Sequence, residues 1–129
     1  MVVVEFVKGV EHHINDDFVS TDFDCHCHRP ECNKTLISMD LIGGLSKLIG
    51  IFPIIHIDSG FRCAAHNREV GGKIDSQHLK GLAADITTPF GRPIGVKEAA
   101  EKIECFENGG IGLYPSFVHV DVRGHKARW

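Results

Sequence analysis

The sequence predicts an α+β fold in which a small antiparallel sheet is flanked by helices. Three observations predict it. Segments with helical and with strand periodicity follow one another without the regular alternation that builds a parallel βαβ sheet. The C-terminal stretch "GGIGLYPSFVHVDVRG" reads as two short strands joined at Tyr114-Pro115. The 129 residues, 43% hydrophobic and 24% charged, have the length and composition of one packed domain, with no repeat, low-complexity tract or linker.

The elements can be justified in order. Residues 1–17 read as an N-terminal extension in which "VVVEFV", residues 2–7, can pair as an edge strand. Residues 11–35 are polar and rich in His, Asp and Cys, which predicts a long ordered loop. A helix starts after Ser38, a candidate N-cap, with Asp40 suited to the positive end of the helix dipole. Leu41, Leu45, Leu48 and Phe52 recur at helical spacing despite Gly43 and Gly44. "PIIHID", from Pro53, reads as a strand, "AAHNREVGG" as a short helix closed by glycine, and "LAADI" as a buried strand. Pro93 opens another helix with Val96, Ala99, Ala100, Ile103 and Phe106 facing inward, and Lys97–Glu101 and Glu98–Lys102 as i,i+4 pairs outside.

Composition excludes some functions. The net charge of −3 and the absence of clustered Lys and Arg argue against binding nucleic acid or an anionic membrane surface. No stretch approaches the ~20 apolar residues of a membrane helix. Glu5 interrupts the first apolar run, with no basic segment before it and no small-residue cleavage site after it. The expectation is a monomer made in the cytoplasm that acts elsewhere only if another agent releases it. The nine histidines point toward metal chemistry.

Two segments concentrate that chemistry. In "SQHLKGLAADI" His78 and Asp85 flank a run of small residues. In "FVHVDVR" the valines at 118, 120 and 122 alternate with His119 and Asp121, so a strand here buries the valines and projects the histidine and the aspartate together on its other face. An ordinary half-solvated strand is the plain alternative. Two imidazoles, one carboxylate and an open position make the coordination typical of catalytic zinc, which activates water and polarises a carbonyl. The same ligand set suits non-heme iron, but the chain is short for enclosing an organic cosubstrate as well.

The stretch "SGFRCAAHNREVGGKIDSQHLKGLAADI" resembles the signature of the zinc D-Ala-D-Ala carboxypeptidase family, which shares its fold with the hedgehog signalling domain. "GGIGLYPSFVHVDVRGHKARW" is similar to the closing segment of the branch found in phage endolysins and related cell-wall peptidases, and "DFDCHCHRPECN" to its Cys-bearing entry. The resemblance runs from about residue 18 to residue 129. It implies one zinc ion held by His78, Asp85 and His119. It makes Arg62 the group that binds the substrate carbonyl or its developing oxyanion, with a structural ion pair as the alternative. It gives Ser76 a place at the substrate or beside the ligand, where a turn or cap would also account for it. Gly71, Gly72 and Gly81 would let the backbone turn so that His78 and Asp85 converge.

One departure stands out. Many relatives carry Glu or Asp three residues before the last zinc histidine, as general base; here that residue is Ser116. Asp121 becomes the candidate base or, alternatively, the group that orients His119. Asp58 and Asp75, each beside a motif residue, are next in line. Tyr114 is a candidate donor to the substrate, although a Tyr before Pro also serves structure alone. Cys25, Cys27 and Cys32, in a C-x-C-x4-C spacing with no later C-x-x-C, read as reduced, partly buried thiols rather than as a second zinc site completed by His26 and His28, and Cys63 and Cys105 as core residues. The function implied is hydrolysis of peptidoglycan stem peptides or cross-links, as a D-Ala-D-Ala carboxypeptidase or an endopeptidase of endolysin type. The rival is a non-catalytic, zinc-containing wall-binding or virion protein.

Overall fold

The computed structural model describes residues 1–129 and is α+β, as expected. In chain order its elements are strand β1 (Val3–Val7), a 3-10 turn (Ser20–Phe23), β2 (Lys34–Ser38), helix α1 (Met39–Ile49), β3 (His56–Ser59), α2 (Ala64–Glu69), a second 3-10 turn (Gln77–Lys80), β4 (Ala83–Thr87), α3 (Pro93–Ala100), α4 (Glu104–Glu107), β5 (Gly110–Leu113), β6 (Val118–Asp121) and β7 (Ala127–Arg128). β1 and β2 form an antiparallel ribbon. The other strands form one sheet ordered β3-β4-β6-β5-β7, antiparallel except where β7 runs parallel to β5. No helix is long and apolar enough to cross a membrane.

Helix α1 forms as its sequence requires. The Ser38 hydroxyl accepts a hydrogen bond from the Leu41 amide, and Leu41, Leu45 and Leu48 are buried on one face. Each fully buried leucine contributes roughly 1.5–3 kcal/mol. Lys34–Ser38 was expected to lie in or beside loop, yet it is a strand: Thr35 and Ile37 point into the interior while its backbone pairs with β1. The helix expected from Pro93 through Phe106 is broken after Ala100 and restarts at Glu104. Val96, Ala99, Ala100, Ile103 and Phe106 are all buried nonetheless, because the break keeps each of them against the sheet and α1. The two i,i+4 pairs do not form. Glu101 lies at the helix end and meets Arg128 Nε at 2.5 Å instead.

The sheet positions the site through its register. Val118, Val120 and Val122 face α3 and the core, as the alternation demanded. On the opposite face Asp85 of β4 stands beside His119 of β6, and Ala83 beside Asp121, because directly paired residues share a face. The third strand of that row explains the glycine-rich "GGIGL": Gly112 is opposite His119 and Gly110 opposite Asp121. A Cβ on Gly110 would run into the Asp121 carboxylate, and one on Gly112 into the Trp129 indole. Across β4 a bulge at Asp58 pairs Ser59, rather than Asp58, with Asp85.

The Gly110 amide donates to Asp121 Oδ1 at 2.9 Å, so this close approach can be tested. Gly110→Ala should lower stability by ~1–3 kcal/mol, the usual cost of overpacking, read as a lower midpoint in chemical denaturation. An unchanged midpoint would show that β5 does not sit this tightly on Asp121.

Candidate metal centre

His78, Asp85 and His119 come from three different local structures. His78 lies on the second 3-10 turn, where the Ser76 hydroxyl accepts from its amide at 3.3 Å and Gly81 ends the turn at φ +75°. A side chain at Gly81 would be strained by that φ and would also strike the Leu36 carbonyl of β2. Asp85 and His119 are the register partners described above. Together the three present His78 Nε2, an Asp85 oxygen and His119 Nδ1 to one point, all buried. Asp85 Oδ1 is 3.3 Å from His78 Nε2 and 3.0 Å from His119 Nδ1.

Each imidazole is held by its other nitrogen. His78 Nδ1 is 2.7 Å from the Gly60 carbonyl and His119 Nε2 is 2.8 Å from Asp121 Oδ2. That arrangement orients both rings and leaves one lone pair of each free to face inward when the outer nitrogens are protonated. The donor set fits zinc. Ligand atoms ~2.0–2.1 Å from a tetrahedral ion lie ~3.3 Å apart, close to the two separations seen. Burial alone would raise the pKa of the Asp85 carboxyl; hydrogen bonds from His119 and His78 outweigh it and hold the group well below its usual range.

Arg62 and Asp121 occupy supporting positions. Arg62 donates from Nη2 to Asp85 Oδ2 at 3.1 Å, from Nε to Ser59 Oγ at 3.1 Å and from Nη1 to Asn67 Oδ1 at 3.3 Å. It is therefore in the ion pair with Asp85, the alternative the sequence left open, while its edge still reaches the groove. Asp121, expected on an accessible polar face, is fully buried and does not line the groove. Its Oδ1 accepts from the amides of Gly110 and Arg123, and Arg123 Nη2 donates to Oδ2 at 2.7 Å. Burial opposes its ionisation, but bonds from His119 and Arg123 prevail and lower its pKa. Burial works to lower the pKa of His119, but its hydrogen bonds with Asp121 and Asp85 outweigh it and raise that pKa.

The centre sits in the floor of a groove of about 670 Å³. Its walls include Ser76, Tyr114 and Trp129, and the residues Asp75, Lys73 and Arg123. The Tyr114 hydroxyl accepts from Trp129 Nε1 at 2.8 Å, and its ring stacks on Phe117 at 4.3 Å. The Trp129 ring lies 4.9 Å from that of His119, with the Arg123 guanidinium 5.1 Å from the indole. Ser116 and Asp58 are both outside the groove: Ser116 borders a separate small cavity, and Asp58 accepts from the Thr87 hydroxyl. Ser59, Gly60 and Asn67 lie in the "SGFR" and "HN" parts of the quoted signature, but the sequence assigned them no role, since those roles arise only when β3 and α2 are brought beside β4.

The Asp121 cluster gives a pH-dependent prediction for the metal-free protein. A carboxyl whose folded pKa is lowered contributes stability that is present above its ordinary range, near ~4, and is lost as pH falls through the lowered value. Asp121→Asn should thus cost ~1–3 kcal/mol at neutral pH. The difference from the parent protein should shrink as the pH drops below ~4. Denaturation in chelator across that range checks it, and a pH-independent difference would contradict it.

A family model described as Peptidase M15 matches residues 16–121, which contain the three converging side chains and their supports Arg62 and Asp121. A search of the curated proteins finds no match. The matched span covers most of the chain, and the family is one of zinc-dependent peptidases of the D-Ala-D-Ala carboxypeptidase type, which act on peptidoglycan. The chain belongs to the Peptidase M15 family and is a metallopeptidase by that membership.

Proposed function

We propose that the protein hydrolyses a peptide bond in peptidoglycan stem peptides or their cross-links, with one zinc ion held by His78 Nε2, His119 Nδ1 and the Asp85 carboxylate. The observation that carries this reading is the convergence of those three atoms at the groove floor, with both histidines anchored from behind. Zinc in that place supplies a Lewis acid for the scissile carbonyl and activates water. Lys73, Arg123 and Arg128 line the groove, which suits a substrate carrying carboxylates, as stem peptides do. The site of action is accordingly the cell wall.

The chain's own residues divide the remaining work. Asp121 positions His119, because its oxygens are already taken by His119, Arg123 and Gly110, and a carboxylate of lowered pKa is a poor base. Asp75 makes no ion pair and borders the groove, so it is the carboxylate that can take a proton from water there. Arg62 fixes the Asp85 carboxylate and offers its edge to a substrate oxygen. Ser76 and Tyr114 contact the bound peptide from the walls.

Purified protein incubated with peptidoglycan, with and without chelator, should release fragments only when zinc is present. A product of free D-alanine identifies a carboxypeptidase, and larger peptides identify an endopeptidase. If zinc-loaded protein releases nothing, the reading fails in favour of a zinc-containing wall-binding protein. His78→Ala, Asp85→Ala and His119→Ala should each abolish this activity and empty the groove of zinc; full occupancy in all three would sink the ligand assignment.

Two further variants separate base from support. Asp75→Asn should keep zinc and lower turnover by ~10²–10⁴-fold. Asp121→Asn should instead weaken zinc binding by ~10–100-fold, with turnover recovered in excess metal. Normal turnover in Asp75→Asn would remove Asp75 from the role, and metal-independent loss in Asp121→Asn would return it to Asp121.

A further inference from the structure

The sulfur atoms of Cys25, Cys27, Cys32 and Cys63 lie within 4.8 Å of one another, well apart in sequence from the groove ligands. The sequence reads Cys63 as a core residue. It is the N-cap of α2, and the long N-terminal loop folds back to bring the other thiols onto it. We propose that these four cysteines form a second, closed metal site that binds one structural zinc ion.

Geometry supports this first. In a tetrahedral zinc–thiolate site with bonds of ~2.3 Å, neighbouring sulfurs stand ~3.8 Å apart. Cys27 Sγ to Cys63 Sγ is 3.8 Å and Cys25 Sγ to Cys63 Sγ is 3.9 Å. All five cysteines are free thiols, so these are not disulfide contacts. Four sulfur ligands leave no open position, which is the pattern of a structural rather than a catalytic zinc.

The surroundings are those of negatively charged sulfur. The Lys8 ammonium lies 3.5 Å from both Cys27 Sγ and Cys32 Sγ, and its Nζ also donates to the Cys27 carbonyl at 2.9 Å. The Cys63 amide donates to Cys25 Sγ at 3.5 Å, and the His66 amide to Cys63 Sγ at 3.4 Å. A merely apolar thiol cluster needs neither a lysine nor amides aimed at sulfur. A four-thiolate zinc site carries net negative charge and benefits from both. On binding, the thiol protons pass to solvent, and each sulfur keeps the electron pair it gives to the metal.

The spacing explains why the sequence conceals the site. Three ligands come in a C-x-C-x4-C loop, and the fourth follows the "SGFR" motif, where it reads as part of that motif. The placement also gives the ion a task. Cys63 adjoins Arg62, whose guanidinium holds Asp85, so a metal on Cys63 ties the N-terminal loop to the segment that supports the groove.

Full-length protein prepared under reducing conditions and saturated with zinc should contain two zinc ions per chain by elemental analysis. His78→Ala should contain one, and so should the double variant Cys27→Ser/Cys32→Ser. With cobalt replacing zinc, both the parent protein and His78→Ala should show the near-ultraviolet thiolate-to-cobalt charge-transfer band, because the groove site has no sulfur ligand. Zinc should also protect four cysteines from alkylation and leave Cys105 reactive, which requires no variant to fold. Absence of the cobalt band, with zinc giving no protection, would overturn the proposal. So would a Cys25–Cys63 or Cys27–Cys63 disulfide, or iron in place of zinc. A failed groove site would lower the count by one while the band persisted, so the two readings fail separately.

Discussion

The Asp85 carboxylate is the constraint on which the centre depends. One oxygen is shared by two imidazoles and the other is held by Arg62, so three side chains meet at a single buried group. Removing such a group from water is costly unless it is paired, and here the Arg62 guanidinium on one oxygen and the His119 Nδ1 contact on the other offset that cost. The position of Asp85 is in turn dictated by the sheet. β4 lies between β3 and β6, and its register sets Ser59 on one side of Asp85 and His119 on the other.

Much around Asp85 follows from keeping that row in place. The bulge at Asp58 turns Ser59 toward Arg62. The glycines at 110 and 112 clear the sheet face for Asp121 and Trp129, and Asp121 then holds the far nitrogen of His119. The valines of β6 fix the strand from below by burial against α3. Polar precision on one face thus rests on apolar packing on the other, which is why β6 is buried on both sides rather than half-solvated.

The parts of this plan legible in the sequence are those with a local cause. Ser38 capping α1, the leucine period behind it, and the valine alternation around His119 each follow from neighbouring residues. The break after Ala100 was not legible, because all five apolar positions keep their periodic spacing and only the tertiary fit interrupts the helix. Strand β2 was hidden for the opposite reason, since its pairing with β1 spans the whole polar loop. In the site, the residue types and motifs marked His78, Asp85 and His119 as a group. They could not show that Asp121 would be sealed behind His119, nor that Cys63 would meet three thiols distant in sequence. The peptide joining Arg62 to Cys63 links the two polar clusters, one of nitrogen and oxygen, the other of sulfur.

The central claim is that His78, Asp85 and His119 enclose one metal ion with His119 facing it through Nδ1. Diffraction from zinc-loaded crystals at the zinc absorption edge tests this most directly. The account predicts an anomalous peak in the groove within bonding distance of His78 Nε2, His119 Nδ1 and the Asp85 carboxylate, with Asp121 still on His119 Nε2. No peak in the groove, or a peak bound through His119 Nε2 with Asp121 as a ligand, would contradict it.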